Sequence, residues 1–327
     1  MKMHFSATAL LAALGATSVQ AAGFTSGNIL VSNGNAITEY ATHGDLVQSI
    51  ATAYPGGYPA TEYARDLVMP DANTLYLYNG TFQPYVSRYD VGSATWSNVS
   101  MPGLSSVNAV SYGGIAATAK TVFVWDMMTY SGGEAQGIVA IDRSTNAATR
   151  FATNIEPIDL SLGRNGLLYA LSPGGSPDGR TIDVYNPDTL AHVQTIDLTK
   201  NLGWNEHKAL AVDQKGDIFL ANSSGLIEHL DANGKLLGSI SPTCSWSGSP
   251  SGCSFTDMDI AADSSALVLG TRFGEVFLVD TGLKNWSSFK TDGVFVAFAA
   301  AVPEPSSYLL MSLGLLGMGV VRRKASR

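Results

Sequence analysis

Short apolar runs alternate with polar turns along most of the chain, and the order of these runs repeats. In six segments a strand-like run is followed within a few residues by a shorter one. These pairs are residues 36–40 and 46–47, 85–90 and 95–96, 137–142 and 149–151, 181–186 and 193–196, 225–231 and 236–237, and 275–280 and 286. Another apolar run precedes each pair, and these runs begin near Ile29, Leu75, Val122, Leu167, Ile218 and Leu267. A four-stranded repeat of about 40–50 residues is typical of one blade of a β-propeller.

The ends of the repeat region indicate how the ring closes. The first unit begins directly at its second strand, residues 28–31, and an extra apolar run, residues 294–299, follows the last unit. This extra run can supply the missing strand and so remove the free sheet edges of an open ring. We therefore predict an all-β, six-bladed propeller in residues 22–301. Its predicted blades are 28–51 with 293–300, 61–100, 105–152, 154–198, 204–241 and 252–290; a seven-bladed propeller or a β-sandwich is the alternative.

The N-terminus has the layout of a signal peptide. Lys2 and His4 form a short polar region, residues 7–16 are small and apolar, and residues 19–21 fit a cleavage site. A buried N-terminal helix is the alternative interpretation. We predict that residues 1–21 are removed on export.

The C-terminus contains a more specific pattern. Val302, Pro303, Glu304 and Pro305 are followed by a predicted transmembrane segment, residues 306–321, which is apolar from Tyr308 onward. A basic end, Arg-Arg-Lys, comes next. Terminal basic residues hold the end of a membrane segment on the cytoplasmic side. A plain membrane anchor is the alternative to a removable signal.

In this order the features of residues 302–327 resemble the PEP-CTERM sorting signal of Gram-negative bacteria. The resemblance implies that the tail pauses the exported protein in the inner membrane as a transmembrane helix. It also implies that an exosortase cuts near the Pro-Glu-Pro triplet and leaves the body in the cell envelope or outside the cell. The body itself resembles the propellers of the NHL, streptogramin-lyase and SMP-30-like group in its periodicity.

The net charge of the chain limits the kinds of molecule that the body can bind. The chain has 19 basic and 27 acidic residues, and the body without both ends keeps 14 and 26, a net charge of −12. Because phosphate binding needs clustered Lys and Arg, this surface argues against nucleic acid and is compatible with cations or neutral glycans.

The two cysteines, Cys244 and Cys253, enter an oxidising compartment on export, which predicts a disulfide.

Candidate chemistry is concentrated at the starts of the innermost strands. Asp66, Asp159 and Asp257 stand at about the same position in three blades, and Lys208 and Tyr112 lie near it in two others. Three carboxylates that converge on the central channel could hold a hard cation such as calcium. The alternative is that each Asp binds backbone N–H groups of its own loop. Glu206 and His207 form a neighbouring acid–base pair, although adjacent residues on a strand point apart.

Exposed aromatic rings suit sugar faces or protein partners, and four lie in predicted loops of one face, namely Tyr54, Tyr58, Trp204 and Trp246. The chain has no Gly-x-Ser-x-Gly, His-Glu-x-x-His or Walker motif. We therefore expect a non-catalytic envelope or matrix protein that binds polysaccharide or an envelope partner and needs no cofactor. A metal-dependent propeller hydrolase or lyase, with a cation in the channel, is the alternative.

Overall fold

In the part of the chain that the computed structural model describes, twenty-four strands form six four-stranded antiparallel sheets. The structure describes residues 23–52, 64–79, 85–99, 114–126, 137–152, 155, 157–172, 180–199, 202, 207–245 and 253–300. In each sheet the strands lie side by side in chain order, except that the last strand of the chain joins the first sheet. The six-bladed prediction is therefore confirmed.

The first three blades contain twelve strands. Blade one contains β24 (Phe295–Phe298), β1 (Ile29–Ser32), β2 (Ala36–Tyr40) and β3 (Leu46–Ala51). Blade two contains β4 (Ala64–Asp71), β5 (Thr74–Asn79), β6 (Tyr85–Asp90) and β7 (Thr95–Val99). Blade three contains β8 (Ile115–Ala117), β9 (Thr121–Asp126), β10 (Gly137–Asp142) and β11 (Ala148–Phe151).

The other three blades follow in sequence without a crossover. Blade four contains β12 (Asp159–Leu162), β13 (Leu168–Ser172), β14 (Thr181–Tyr185) and β15 (His192–Asp197). Blade five contains β16 (His207–Val212), β17 (Ile218–Asn222), β18 (Ile227–Leu230) and β19 (Leu236–Ile240). Blade six contains β20 (Phe255–Ile260), β21 (Ala266–Thr271), β22 (Glu275–Asp280) and β23 (Trp286–Lys290).

The predicted closing strand is in place. β24 pairs antiparallel with β1, with Phe298 opposite Ile29 and Val296 opposite Val31. β24 also contacts the innermost strands of blades six and two, β20 and β4. The innermost strands therefore form a continuous ring around a central channel, in the order β24, β4, β8, β12, β16 and β20.

The turn after the third strand of a blade explains why the hairpins recur. In five blades an Asp or Asn ends or directly follows this strand, and its side chain accepts N–H groups of the turn; the residues are Asp90, Asp142, Asn186, Asp231 and Asp280. Such local bonds favour a turn over continued extension. They stabilise the ionised side chain, and those to the hydroxyls and N–H groups of Ser144 and Thr145 lower the pKa of Asp142 to about 2.

The core lies between the blades rather than at one centre. Among the described residues, six apolar clusters occur, each shared by two neighbouring blades. The cluster between blades six and one includes Val268 and Val276 from one side and Ile29 and Val296 from the other. Each blade therefore depends on both neighbours for burial of its two faces, and ring closure is part of core formation.

The segments predicted to be removed lie outside the described residues. Residues 1–22, which contain the predicted signal peptide, and residues 301–327, which contain the tail, are both outside. In the described part of the chain no helix is long and apolar enough to cross a membrane.

Candidate functional site

The three predicted carboxylates occupy one equivalent position in alternate blades. Asp66, Asp159 and Asp257 each lie near the start of an innermost strand, opposite Tyr78, Leu171 and Gly270 of the second strand. The same register places Gly114, Ala209 and Phe295 at this position in blades three, five and one. Acidic and non-acidic residues thus alternate around the ring.

Lys208, which the sequence places near this position in blade five, lies one residue before it. The register shifts between His207 and Ala209, as it does before Asp66 and Asp257, and Ala209 takes the equivalent place. Tyr112 of blade three lies outside the described residues, and Gly114 occupies the position there.

Each of the three carboxylates joins its own blade to the next one. Oδ1 accepts the N–H of the following residue in its own strand: Leu67 at 2.6 Å, Leu160 at 2.8 Å and Met258 at 2.8 Å. Oδ2 accepts an N–H from the innermost strand of the next blade: Ile115, Leu210 and Val296, each at 2.7 Å. The carboxylates therefore connect blades two to three, four to five and six to one, and we call them the three latch aspartates.

A fourth carboxylate extends the connection at the closing strand. Asp259, two residues after Asp257, accepts the N–H of Ile260 at 2.7 Å and that of Phe298 at 2.9 Å. The junction between blade six and the closing strand thus has two aspartate bridges. Residues 291–294 also connect β23 to β24 at this junction, whereas the two ends of the described body meet in the pairing of β24 with β1.

Gly114 separates two of the latch aspartates. A Cβ atom at this position would lie 2.3 Å from Asp159 Oδ1 and 2.8 Å from Asp66 Oδ2. A side chain at position 114 would therefore lie between the two carboxylates. Because glycine has none, the carboxyl groups of Asp66 in blade two and Asp159 in blade four can lie close together.

Burial and mutual repulsion govern the ionisation of the latch aspartates. Desolvation is the largest cause that raises the pKa of Asp66 well above its usual range, and the charges of Asp257 and Asp159 add to it. The pKa of Asp159 is raised in the same way by burial and by Asp257. Burial raises the pKa of Asp257 to about 7, although its two backbone N–H bonds act in the opposite direction. The ring thus retains protons at pH values at which a surface aspartate is ionised.

The channel contains a cavity of about 690 Å³. It extends from the latch aspartates to the opposite end of the innermost strands, where Ser26, Thr42, Pro70 and Ala300 contribute to its wall. We call this end the tail face, because the closing strand ends there, and the opposite end the loop face.

Arg164 crosses the channel near the tail face. It follows β12 in blade four, yet its Nε donates to the carbonyl of Ile260 in blade six at 3.1 Å, and its Nη2 lies 3.6 Å from Asp259 Oδ1. Its backbone N–H donates to Val212 of blade five at 3.0 Å. One residue thus connects three blades, and its guanidinium forms part of the cavity wall.

His207 pairs with a residue that the sequence did not indicate. Its Nε2 lies 2.6 Å from Glu228 Oε2, and both side chains are buried. Glu228 is 21 residues away on β18, so only the fold brings the two together, while the expected neighbour Glu206 lies outside the described residues. Among the described residues, neither His207 Nδ1 nor the buried Nδ2 of Asn222 has a hydrogen-bond partner. The pair does not contribute to the channel wall described above.

Of the other predicted site residues, the two cysteines are described by the structure and the rest lie outside the described residues. Cys244 and Cys253 form the predicted disulfide, with their Cα atoms 5.3 Å apart. The aromatic residues Tyr54, Tyr58, Trp204 and Trp246, and the motif residues 302–305, lie outside the described part of the chain.

The predicted calcium site has no matching geometry in the described ranges. No group of three or more His, Cys, Asp or Glu side chains is placed there so that it could hold a metal ion. Instead, both oxygens of each latch aspartate accept backbone N–H groups. The sequence analysis gave as its alternative that each Asp binds backbone N–H groups of its own loop. In the structure one donor belongs to the residue's own strand and the other to the next blade.

Comparison with known proteins adds one finding. Residues 301–324 match the PEP-CTERM protein-sorting motif. The motif implies export to the cell envelope or the extracellular space and processing by an exosortase-type enzyme. No curated protein shows significant similarity to the chain. The resemblance of the body to the NHL, streptogramin-lyase and SMP-30-like group stays a prediction.

Proposed function

We propose that this chain is an envelope or extracellular-matrix protein whose propeller binds polysaccharide or an envelope partner without catalysing a reaction. The observation that carries the proposal is the position of the sorting motif. It begins two residues after Ala299, the last residue bonded to blade one. The whole described body is thus one closed propeller, delivered by this signal to the outside of the inner membrane.

The latch aspartates support a non-catalytic role. A carboxylate that acts as a nucleophile, base or metal ligand needs an oxygen directed at the reacting group. In this ring both oxygens of each latch aspartate accept backbone N–H groups, and the acids hold blades together. The most strongly perturbed carboxyl groups of the described channel therefore have a structural explanation.

The loop face is the proposed recognition surface. The segments that carry Tyr54 and Tyr58, Trp204, and Trp246 all lead into the starts of innermost strands, β4, β16 and β20. The starts of these strands form the loop face, on the opposite side of the propeller from Ala300, the residue that precedes the sorting motif. A ligand could therefore bind there while the tail is still in the membrane. The net charge of −12 favours neutral polysaccharide over polyanions.

Affinity electrophoresis of the processed protein from the producing cells tests the proposal. We expect a neutral β-glucan in the gel to retard the protein and a polyanion such as alginate to leave its mobility unchanged. Trp204→Ala and Trp246→Ala should weaken retardation. Trp286→Ala is the matched control, because Trp286 is a 41% exposed tryptophan on the outer strand of blade six. Equal mobility with and without every neutral glycan, together with no envelope protein recovered by crosslinking, would contradict the proposal.

A further inference from the structure

The end of the folded body is held tightly. Ala299 donates its N–H to Asn28 at 2.8 Å and accepts the N–H of Gly27 at 3.0 Å. On the strand just before it, the N–H groups of Phe298 and Val296 donate to Asp259 and Asp257 of blade six at 2.9 and 2.7 Å. The side chains of residues 296–299 are buried. The chain is therefore fixed to the propeller as far as Ala299.

The sorting motif starts at residue 301, so very little chain separates the fold from the processing signal. A fully extended chain spans at most about 3.6 Å per residue. From Ala299 to Pro303 this amounts to a reach of about 14 Å. An enzyme that binds an extended peptide occupies several residues on a cleft of its own surface. An enzyme that acts at the Pro-Glu-Pro triplet must therefore approach the tail face to within this reach.

The surface next to the exit point is formed by blade one. Ser26 directly precedes the two residues that bond to Ala299, and Thr42 lies in the turn after β2. Both are exposed, and both border the cavity with Ala300. Neither side chain takes part in any hydrogen bond found among the described residues. Both are exposed on the face at which Ala300 lies.

From this geometry we infer that the tail face around Ser26, Thr42 and Ala300 is the contact surface for the processing enzyme of the sorting motif. The enzyme contacts this face while it recognises the motif. Its substrate is therefore the folded propeller with its tail and not the tail alone. The inference rests on processing of the motif and is independent of what the loop face binds.

Cleavage kinetics in the producing cells test this contact. The variants Ser26→Arg and Thr42→Arg place a long charged side chain on the tail face, and Asn35→Arg is the matched control on the opposite side of the same blade, where Asn35 is exposed. Each substitution is made in the natural chain and in a chain with a 12-residue Gly-Ser linker after Ala300. Pulse-chase immunoblots give the ratio of precursor to processed protein, and thermal unfolding of the processed protein confirms the fold.

We expect the two tail-face variants to slow cleavage about tenfold in the natural chain, which corresponds to roughly 1.4 kcal/mol of lost contact. With the linker, both should be cleaved as fast as the linker chain without a substitution. Asn35→Arg should have no effect in either chain. The inference is overturned if the tail-face variants are cleaved normally, if Asn35→Arg slows cleavage equally, or if the slowing persists with the linker. Absence of cleavage in the unsubstituted chain would also overturn it, whereas a failure to bind glycan would affect only the proposed function.

Discussion

Asp257 Oδ2 accepts the N–H of Val296 at 2.7 Å, across 39 residues of sequence. This bond attaches the closing strand to blade six, while β1 holds the other edge of the same strand. Val296 is therefore fixed from two sides by residues from opposite ends of the body. The ring closes through this relationship, and the first prediction concerns it.

Deletion of residues 293–300 should open the ring. Val296 is 1% exposed and Phe298 is 8% exposed, and full burial of one such side chain contributes about 1.5–3 kcal/mol. We expect a loss of at least about 3–6 kcal/mol in the free energy of unfolding from these two alone. Deletion of residues 302–327, beyond the last strand, should cost almost nothing. Urea denaturation measures both.

A deletion can prevent folding altogether, so Val296→Ala provides a milder version of the same test. It should destabilise the protein by about 1–2 kcal/mol, whereas Val47→Ala, at a 49% exposed valine on the outer strand of the same blade, should not. Equal stabilities for the two valine variants would contradict the role of the closing strand.

The latch aspartates should make the protein less stable as the pH rises. Their pKa values are higher in the folded protein than in the unfolded chain, so the folded protein binds more protons above about pH 4, and for Asp257 this range extends to about pH 7. Stability falls where the folded state binds more protons, and the loss is complete above the folded pKa. For Asp257 the shift from 3.8 to about 7 corresponds to at most on the order of 4 kcal/mol.

Asp257→Ala isolates this contribution. At pH 5 the variant should be clearly less stable than the wild type, because Met258 and Val296 lose their acceptor. At pH 8 the difference should shrink, since the substitution also removes a buried charge. Denaturant titrations at both pH values measure it, with the exposed Asp188→Ala as control. A difference that is the same at both pH values would refute the pH dependence.

Gly114→Ala should destabilise the ring by about 1–3 kcal/mol, the usual range for overpacking. The new methyl group would meet two carboxylates and the backbone nitrogen of Leu160, and the carboxylates cannot move without losing their N–H bonds. Gly238→Ala is the matched control, because a Cβ there has no neighbour within 4 Å in the described part of the chain. In an Asp159→Ala background the cost of Gly114→Ala should fall. A neutral Gly114→Ala would show that the two acids are farther apart than described.

The disulfide should contribute modestly to the stability of the folded protein. Eight residues separate Cys244 from Cys253, and closing so small a loop stabilises by about 2–3 kcal/mol in the chain-entropy model. Cys244→Ser should lower the melting temperature and preserve the β-rich circular dichroism spectrum. Addition of a reductant should lower the wild-type melting temperature to a similar degree and leave the variant unchanged. Two titratable thiols in protein isolated from the periplasm would contradict the bond.

The sequence by itself determined the blades, their order and the closing strand. Strand periodicity and the turn residues after each third strand act over a few positions, so they are visible in a single chain. The missing first strand of blade one and the surplus run at 294–299 identified the closure because a ring leaves no free edge. The register of Phe298 opposite Ile29 agrees with that interpretation.

Only the tertiary structure decided what the acidic residues do. The bonds from Asp66 to Ile115 and from Asp159 to Leu210 join residues 49 and 51 positions apart, on strands that are neighbours only once the ring has formed. The residues around Gly114 do not indicate that it lies between two carboxylates, and nothing near Glu228 in the sequence predicts its pairing with His207. A carboxylate at the start of a strand is suited equally to a cation and to backbone N–H groups. The choice depends on which donors the next blade presents, and that is a property of the assembled ring.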